Sequence, residues 1–454
     1  MTTLQRPPTD FPTRLAAPVM NRWLVVIGAI IIQVCLGAIY AWSVFTADLQ
    51  KAPFAFTKTQ TQVIFSVALA VFAVFTIIGG RWQAKAGPTL VVRAGGALLA
   101  LGYVLACFAG ASFPGLVATI GVIGGAGIGL AYVVPIAVGV KWFPDKKGLI
   151  TGLAVAGFGF GALLWIQLAG PWGGLIVKVG VSKVFLYYGI AFLLLILLGS
   201  LWMKNPPAGW LPAGWSPGES KGAAGALVNF ESAQMLATPQ FWQLWLMYIC
   251  GALAGLMVIG IIKLFGTEAL QARAGLDAAA AGAWAATAMG VFFACFNGIG
   301  RIAWGFISDA IGRKFAMTVM LTLQGAVMIA FFYMGGHQVL LFVGAALIGF
   351  NFGGTLALFP AATADFFGNK NVGKNYGWMF TAYGVGGIVG PIMAAAFADA
   401  SKGKGVDAWL PAFLIAGIAC LVAALLAGLL RAPRRPALRE PSYAERAAAQ
   451  PTSG

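Results

Sequence analysis

Apolar stretches of about twenty residues, long enough to cross roughly 30 Å of hydrocarbon, recur along this chain from near its start to near its end. Inside a bilayer no water serves the backbone N–H and C=O groups, so each stretch must fold as a helix that satisfies its own backbone. Twelve spans are predicted, at 22–45, 59–80, 89–110, 115–142, 149–170, 184–203, 240–266, 281–307, 315–335, 338–366, 374–398 and 409–430. Only 9% of residues are charged, against about a quarter in a soluble chain of this size. The glycines fall mostly within the apolar runs, where they let helices pack closely. The expected fold class is an all-α membrane protein.

A formal net charge of +16 would suit a nucleic-acid binder, but the basic residues follow the loops. Of 29 Lys and Arg, 19 fall on the side that holds both chain ends and 7 on the other, with Arg93, Lys263 and Arg301 inside spans. That bias places both termini in the cytoplasm and argues against a nucleic-acid partner. Cys35, Cys107, Cys250, Cys295 and Cys420 lie in spans without paired spacing and read as small packing residues. The first nineteen residues lack a separate apolar core, so no cleavable signal peptide is expected. The tail past Leu430, rich in Pro, Arg, Ala and Glu, is expected to be disordered.

The longest polar interruption, with five prolines, runs from Lys204 to Pro239 and divides the spans six and six. The expected domains are a tail at 1–20, a six-helix bundle at 21–203, a linker at 204–239, a second bundle at 240–430 and a tail at 431–454. The halves share a ruler: Gly80 and Gly305, Gly87 and Gly312, and Gly148 and Gly373 are each 225 residues apart. Internal repetition of this kind marks transporters, whose substrate site lies near mid-membrane between the repeats.

Gly305-Phe-Ile-Ser-Asp309-Ala-Ile-Gly312-Arg313-Lys314 resembles the G-x-x-x-D-x-x-G-R-K loop of the major facilitator superfamily. In the first half, Gly80-Arg-Trp-Gln-Ala84-Lys-Ala-Gly87-Pro88 keeps the glycines but has Ala84 where the family favours Asp. The family uses this motif for gating and packing. The resemblance therefore gives Gly305, Asp309, Gly312, Arg313, Lys314, Gly80 and Gly87 a conformational role. Lys141-Trp-Phe-Pro-Asp145-Lys-Lys-Gly148, Thr238-Pro-Gln-Phe-Trp242 and Ala357-Leu-Phe-Pro360…Asp365-Phe-Phe-Gly368 look like the bacterial oxalate/formate antiporter branch, which is related to the animal monocarboxylate transporters. Within it the chain most resembles a bacterial lactate/proton symporter. The resemblance, over about 21–430, implies two pseudo-symmetric bundles of six transmembrane helices that work as a monomer in a bacterial inner membrane, without a cofactor.

Arg301 is the residue that points to a substrate. A guanidinium stays protonated, costs at least a few kcal/mol in hydrocarbon, and has no acidic residue in its own span. Its planar fork matches a carboxylate. Eight residues separate it from Asp309, placing it about 12 Å from the basic rim. The same rise puts Tyr383 roughly 13 Å and Tyr132 roughly 18 Å deep. Asn297 shares the helix face of Arg301. As ordinary core residues, Arg301 would bond to carbonyls or a distant Asp, and the two tyrosines to backbone. In the resemblance, Arg301 matches the substrate arginine of the eighth helix, and Tyr132 a cavity tyrosine. Tyr383 replaces the oxalate carrier's lysine, and Asn297 the animal transporters' Asp. Tyr40, Phe158, Phe352, Leu356 and Phe380 would line the cavity, each also a plain packing residue.

One central cation suits one carboxylate, so a small monocarboxylate such as L-lactate or pyruvate is expected, with alternating access and proton symport. Anion exchange is the second reading and a non-transporting sensor the third. An Arg301 without a bound anion is expected to stay hydrated and to hold the cavity open. Lys263, Glu268, Asp277, Asp365 and His337 are candidates for admitting a proton or an anion, with interfacial anchoring or loop exposure the plainer reading of Lys263 and His337. No metal cluster, phosphate loop or catalytic set occurs, so an enzyme is not expected.

Overall fold

The structure is a computed structural model that describes residues 20–49, 51–56, 58–170, 172–207, 209–212, 229–400 and 405–433. The predicted tails at 1–20 and 431–454 therefore lie almost wholly outside the described residues. Among those described no strand occurs. The membrane helices are α1 (Arg22–Trp42), α2 (Lys58–Ala86), α3 (Pro88–Phe108), α4 (Phe113–Trp142), α5 (Lys147–Ala169) and α6 (Val181–Ser200) in the first half. The second half holds α7 (Pro239–Ala274), α8 (Ala278–Ile311), α9 (Arg313–Met334), α10 (Gln338–Phe367), α11 (Val372–Met379, continued by Thr381–Ala400) and α12 (Leu410–Leu429). Among the described residues, eleven helices are long and apolar enough to cross a membrane, and α11, interrupted at Phe380, completes the twelve. Helices α7 and α8 outrun their predicted spans at 240–266 and 281–307. The apolar pattern stops where hydrocarbon ends, whereas a helix continues into water until a stop such as Gly275, left-handed at φ 68°.

Helix starts and stops follow the sequence. Proline occupies the first turn of α3, α4, α7 and α12, where a missing N–H costs nothing. Gly87 and Gly312 end α2 and α8 at φ 85° and 89°, a backbone that residues with a Cβ rarely adopt. The 225-residue ruler thus reappears as two turns of one shape. Pro135 in α4 and Pro360 in α10 stand at the same offset.

Each half packs by the same scheme. In the first, α2 lies on α4, α3 on α6 and α1 on α5; in the second, α8 lies on α10, α9 on α12 and α7 on α11. The halves meet where α5 runs along α8 and α2 along α11. Lipid gives apolar helices no solvent-driven reason to associate, so these seams depend on close approach of small residues. The segment between the halves is anchored at both described ends. Trp142 Nε1 donates to Lys204 O at 2.7 Å, while Phe230 N donates to Phe367 O at 3.0 Å, and Asn371 and Asn375 donate to Phe230 O.

Candidate functional site

The centre is built where α5 crosses α8. A Cβ on Gly152 would stand 2.2 Å from the carbonyl oxygen of Arg301, so glycine is what lets the two backbones touch. The approach brings the Val155 carbonyl, one turn along α5, to the guanidinium. Arg301 Nη1 donates to Val155 O at 2.7 Å and Nε donates to Asn297 Oδ1 at 3.1 Å. Among the described residues the third nitrogen, Nη2, has no protein partner, and it is buried. Among the described residues no carboxylate pairs with Arg301.

Around this cation the structure gathers Tyr40 from the tightened end of α1, Phe72 from α2, Tyr132 from α4 and Phe158 from α5. Leu356 of α10 and Phe380 and Tyr383 of α11 close the other side. About 150 Å³ of void lies among these side chains, in gaps too narrow for a free water molecule. The rings meet across the halves: Phe380 lies 4.9 Å from Phe72 and 4.8 Å from Tyr132, centroid to centroid, and stacks on Tyr383. Tyr40 meets Phe158 edge-on at 4.9 Å, and the guanidinium carbon lies 5.6 Å from the Phe158 ring centre. The Tyr132 and Tyr383 hydroxyls are buried and, among the described residues, have no hydrogen-bond partner. A buried donor left unpaired costs about 1–3 kcal/mol, so three such groups around one void form a place that a polar ligand would stabilise.

Two expectations are corrected here. Phe352 does not line the void; it sits one turn before Leu356 in α10, where its ring is 6.2 Å from Phe293 and fills the space a Cβ on Gly255 would need. Arg301 is 0% exposed and does not hold an open, hydrated cavity. The Val155 carbonyl and Asn297 occupy two of its three nitrogens, so water is not the guanidinium's only alternative to a carboxylate. Phe72 was missed by the sequence reading, although the ruler marks it, for it stands 225 residues before Asn297. By the same offset Thr76 matches Arg301 and Phe158 matches Tyr383.

Nearer the basic rim a second crossing of α5 and α8 is ionic. Asp309 accepts from the Gly148 and Leu149 N–H groups at 2.9 and 2.8 Å, capping the positive end of the α5 helix dipole. Arg313 donates to Ser308 and Asp309 and, at 2.8 Å, to Asp365, which also accepts from Lys147 at 2.8 Å. The backbones touch here too, because a Cβ on Gly305 would meet Gly148 O at 2.3 Å. Lys314 is exposed and, among the described residues, forms no ion pair. The remaining charged candidates sit at the rims. Asp277 caps α8 through Ala280 N, His337 caps α10 through Leu340 N, and Lys263 is exposed and, among the described residues, forms no ion pair. Glu268 accepts from Trp409 Nε1 at 2.7 Å.

Two repeat-related six-helix halves with a buried, cation-bearing centre between them define a secondary transporter of the membrane. Residues 22–296 and 272–453 match the Major Facilitator Superfamily, and the chain belongs to that family of transporters; it is not an enzyme. It is 32% identical over 371 residues to YhjX of Escherichia coli, an uncharacterised transporter of this type, covering 81% of this chain and 86% of that one. It is 29% identical over 411 residues to the oxalate:formate antiporter of Oxalobacter formigenes, covering 90% and 91%. Similarity at 27% identity extends to apicoplast pyruvate carrier 1 of Toxoplasma gondii, covering 79% and 81%. In fold it is similar to FucP in the outward conformation, with a TM-score of 0.63 at 15% identity, covering 89% of this chain and 98% of that one.

Proposed function

We propose that the protein carries a small monocarboxylate, such as L-lactate or pyruvate, by alternating access and together with a proton. One observation carries this reading: a single buried cation, with one donor nitrogen unpartnered, lines a void that also holds two unsatisfied tyrosine hydroxyls. One cation offsets the desolvation of one carboxylate; a dianion would need a second. The gaps among these side chains are too narrow for a free water, which limits the ligand to a few heavy atoms. Phe158 and Leu356 supply an apolar wall for a short alkyl group. The substrate must also part the rings and compete with Val155 O or Asn297 for its second bond to Arg301. The names of two relatives, an oxalate:formate antiporter and a pyruvate carrier, support small carboxylates as the class.

In this reading the chain is a monomer in a bacterial inner membrane, its basic face and both termini are cytoplasmic, and the proton rides with the substrate. Exchange of one anion for another is the second reading. It is favoured by the central lining, which contains no carboxylate to carry a proton. Uptake of labelled L-lactate and pyruvate into proteoliposomes, with and without an inward proton gradient, separates the two. Symport predicts accumulation driven by the gradient. Uptake that occurs only from vesicles preloaded with oxalate or formate sinks symport, and failure of both acids in either format sinks the substrate class.

A further inference from the structure

Arg93 stands just inside the basic rim on the lipid-facing side of α3, exposed, with its Nε donating to Ser200 Oγ of α6 at 2.9 Å. Among the described residues its Nη nitrogens have no protein acceptor and no carboxylate pairs with it. Further along the same face of α3 come Ala97, Leu101 and Val104, four to eleven residues on, or about 6–17 Å deeper. Helix α6 runs the opposite way, and its Gly189, Ile190 and Leu194 lie six to eleven residues before Ser200, about 9–17 Å deep by the same rise. These two sets enclose an almost wholly apolar groove of about 290 Å³. The floor is low because Gly189 and Ala100 are small and buried, while Leu101, Ile190 and Leu194 project as walls. Both helices thus put the groove beneath the Arg93–Ser200 pair, across most of the roughly 15 Å depth of one leaflet.

We propose that this is a binding site for an anionic phospholipid of the leaflet at the basic rim, with its phosphate on Arg93 and one acyl chain in the groove. A guanidinium whose Nε is already held by Ser200 presents its two outer nitrogens in the planar fork that matches phosphate oxygens. Each basic residue near an anionic leaflet attracts it by about a factor of five, and a zwitterionic headgroup brings its own competing cation. A second copy of the chain is the weaker occupant, because a two-fold pairing on this face would set Arg93 against Arg93.

The test is native mass spectrometry of the full-length purified chain, released from micelles containing dioleoyl-phosphatidylglycerol or dioleoyl-phosphatidylcholine. Wild type retains phosphatidylglycerol preferentially. Arg93→Gln lowers that preference about fivefold. Arg93→Lys keeps most of it. Ala97→Phe, which fills the groove from an exposed position and leaves the charge, lowers it as well. Glycerol 3-phosphate, a headgroup without chains, does not displace the lipid. Equal retention of both lipids by wild type overturns the proposal without recourse to any variant. It also falls if glycerol 3-phosphate competes, if both Arg93→Gln and Ala97→Phe keep the preference, or if Ala97→Phe converts a dimer to a monomer in light scattering while lipid retention stays unchanged.

Discussion

The α5–α8 and α2–α11 crossings have the same backbone and opposite chemistry. Gly148 touches Gly305 and Gly152 touches Arg301; 225 residues away, Gly373 touches Gly80 and Gly377 touches Thr76. On this shared frame the side chains diverge. Where the α5–α8 seam has Arg301, Asp309, Arg313 and Asp365, the matching positions are Thr76, Ala84, Pro88 and Val140. One seam is closed by a capped helix end and a four-residue ion network. At the other, Gln83 lies against Gly373 and Trp378 takes the Arg81 guanidinium at 5.2 Å from its ring. The repeat conserves approach distance, which only glycine permits, and leaves charge free to differ. The buried cation and the ion network have both gathered in one of two equivalent places.

This asymmetry is open to direct attack. The largest contrast is expected at the centre: Arg301→Gln should lower lactate kcat/KM about 100-fold, because it removes a charge-assisted contact from a desolvated site. Thr76→Val at the matching position should change it less than about threefold, since the Thr76 hydroxyl only returns to Phe72 O within its own helix. Similar losses for both would erase the distinction. Next comes the latch. Asp309→Asn removes the charged cap of α5 and one partner of Arg313, and should cut the transport rate about tenfold while exposing a cysteine placed at position 151 to reagent from the basic side. Ala84→Asp, which offers a carboxylate to the N-terminus of α11, should do the reverse, protecting that cysteine and slowing turnover a few-fold. Asn297→Asp is expected to have a smaller effect than Arg301→Gln or Asp309→Asn. A carboxylate already 3.1 Å from Arg301 Nε would compete with substrate, raising KM roughly fivefold at neutral pH, and acid should relieve it. A KM that is unchanged, or that worsens with acid, would show that Arg301 does not receive the carboxylate.

The spans were legible because hydrocarbon thickness fixes a length and hydropathy reports it. Arg301, Tyr132 and Tyr383 were legible by counting rise from loops that the charges mark. Phe72 was not, because a phenylalanine in an apolar span carries no local signal and only its offset from Asn297 singles it out. Phe352 shares a face with Leu356, and a one-turn difference in height, which sequence does not resolve, decides which of the two reaches the void. The Val155 carbonyl belongs to the backbone and has no letter of its own. Lys263 and Glu268 are five residues apart on one helix and point in different directions, and Glu268 turns to Trp409.

The solitary charge of Arg301 also has an electrical meaning. Moving one elementary charge across a membrane is worth about 2.3 kcal/mol per 100 mV. A centre that reorients unloaded carries one positive charge through part of that field. With a monocarboxylate alone it reorients neutral; with a monocarboxylate and a proton it is again singly positive. Symport therefore makes the loaded and unloaded steps equally sensitive to voltage, whereas exchange of monocarboxylates leaves the loaded step indifferent to it. In the proposed cycle the lone guanidinium would act as a built-in voltmeter.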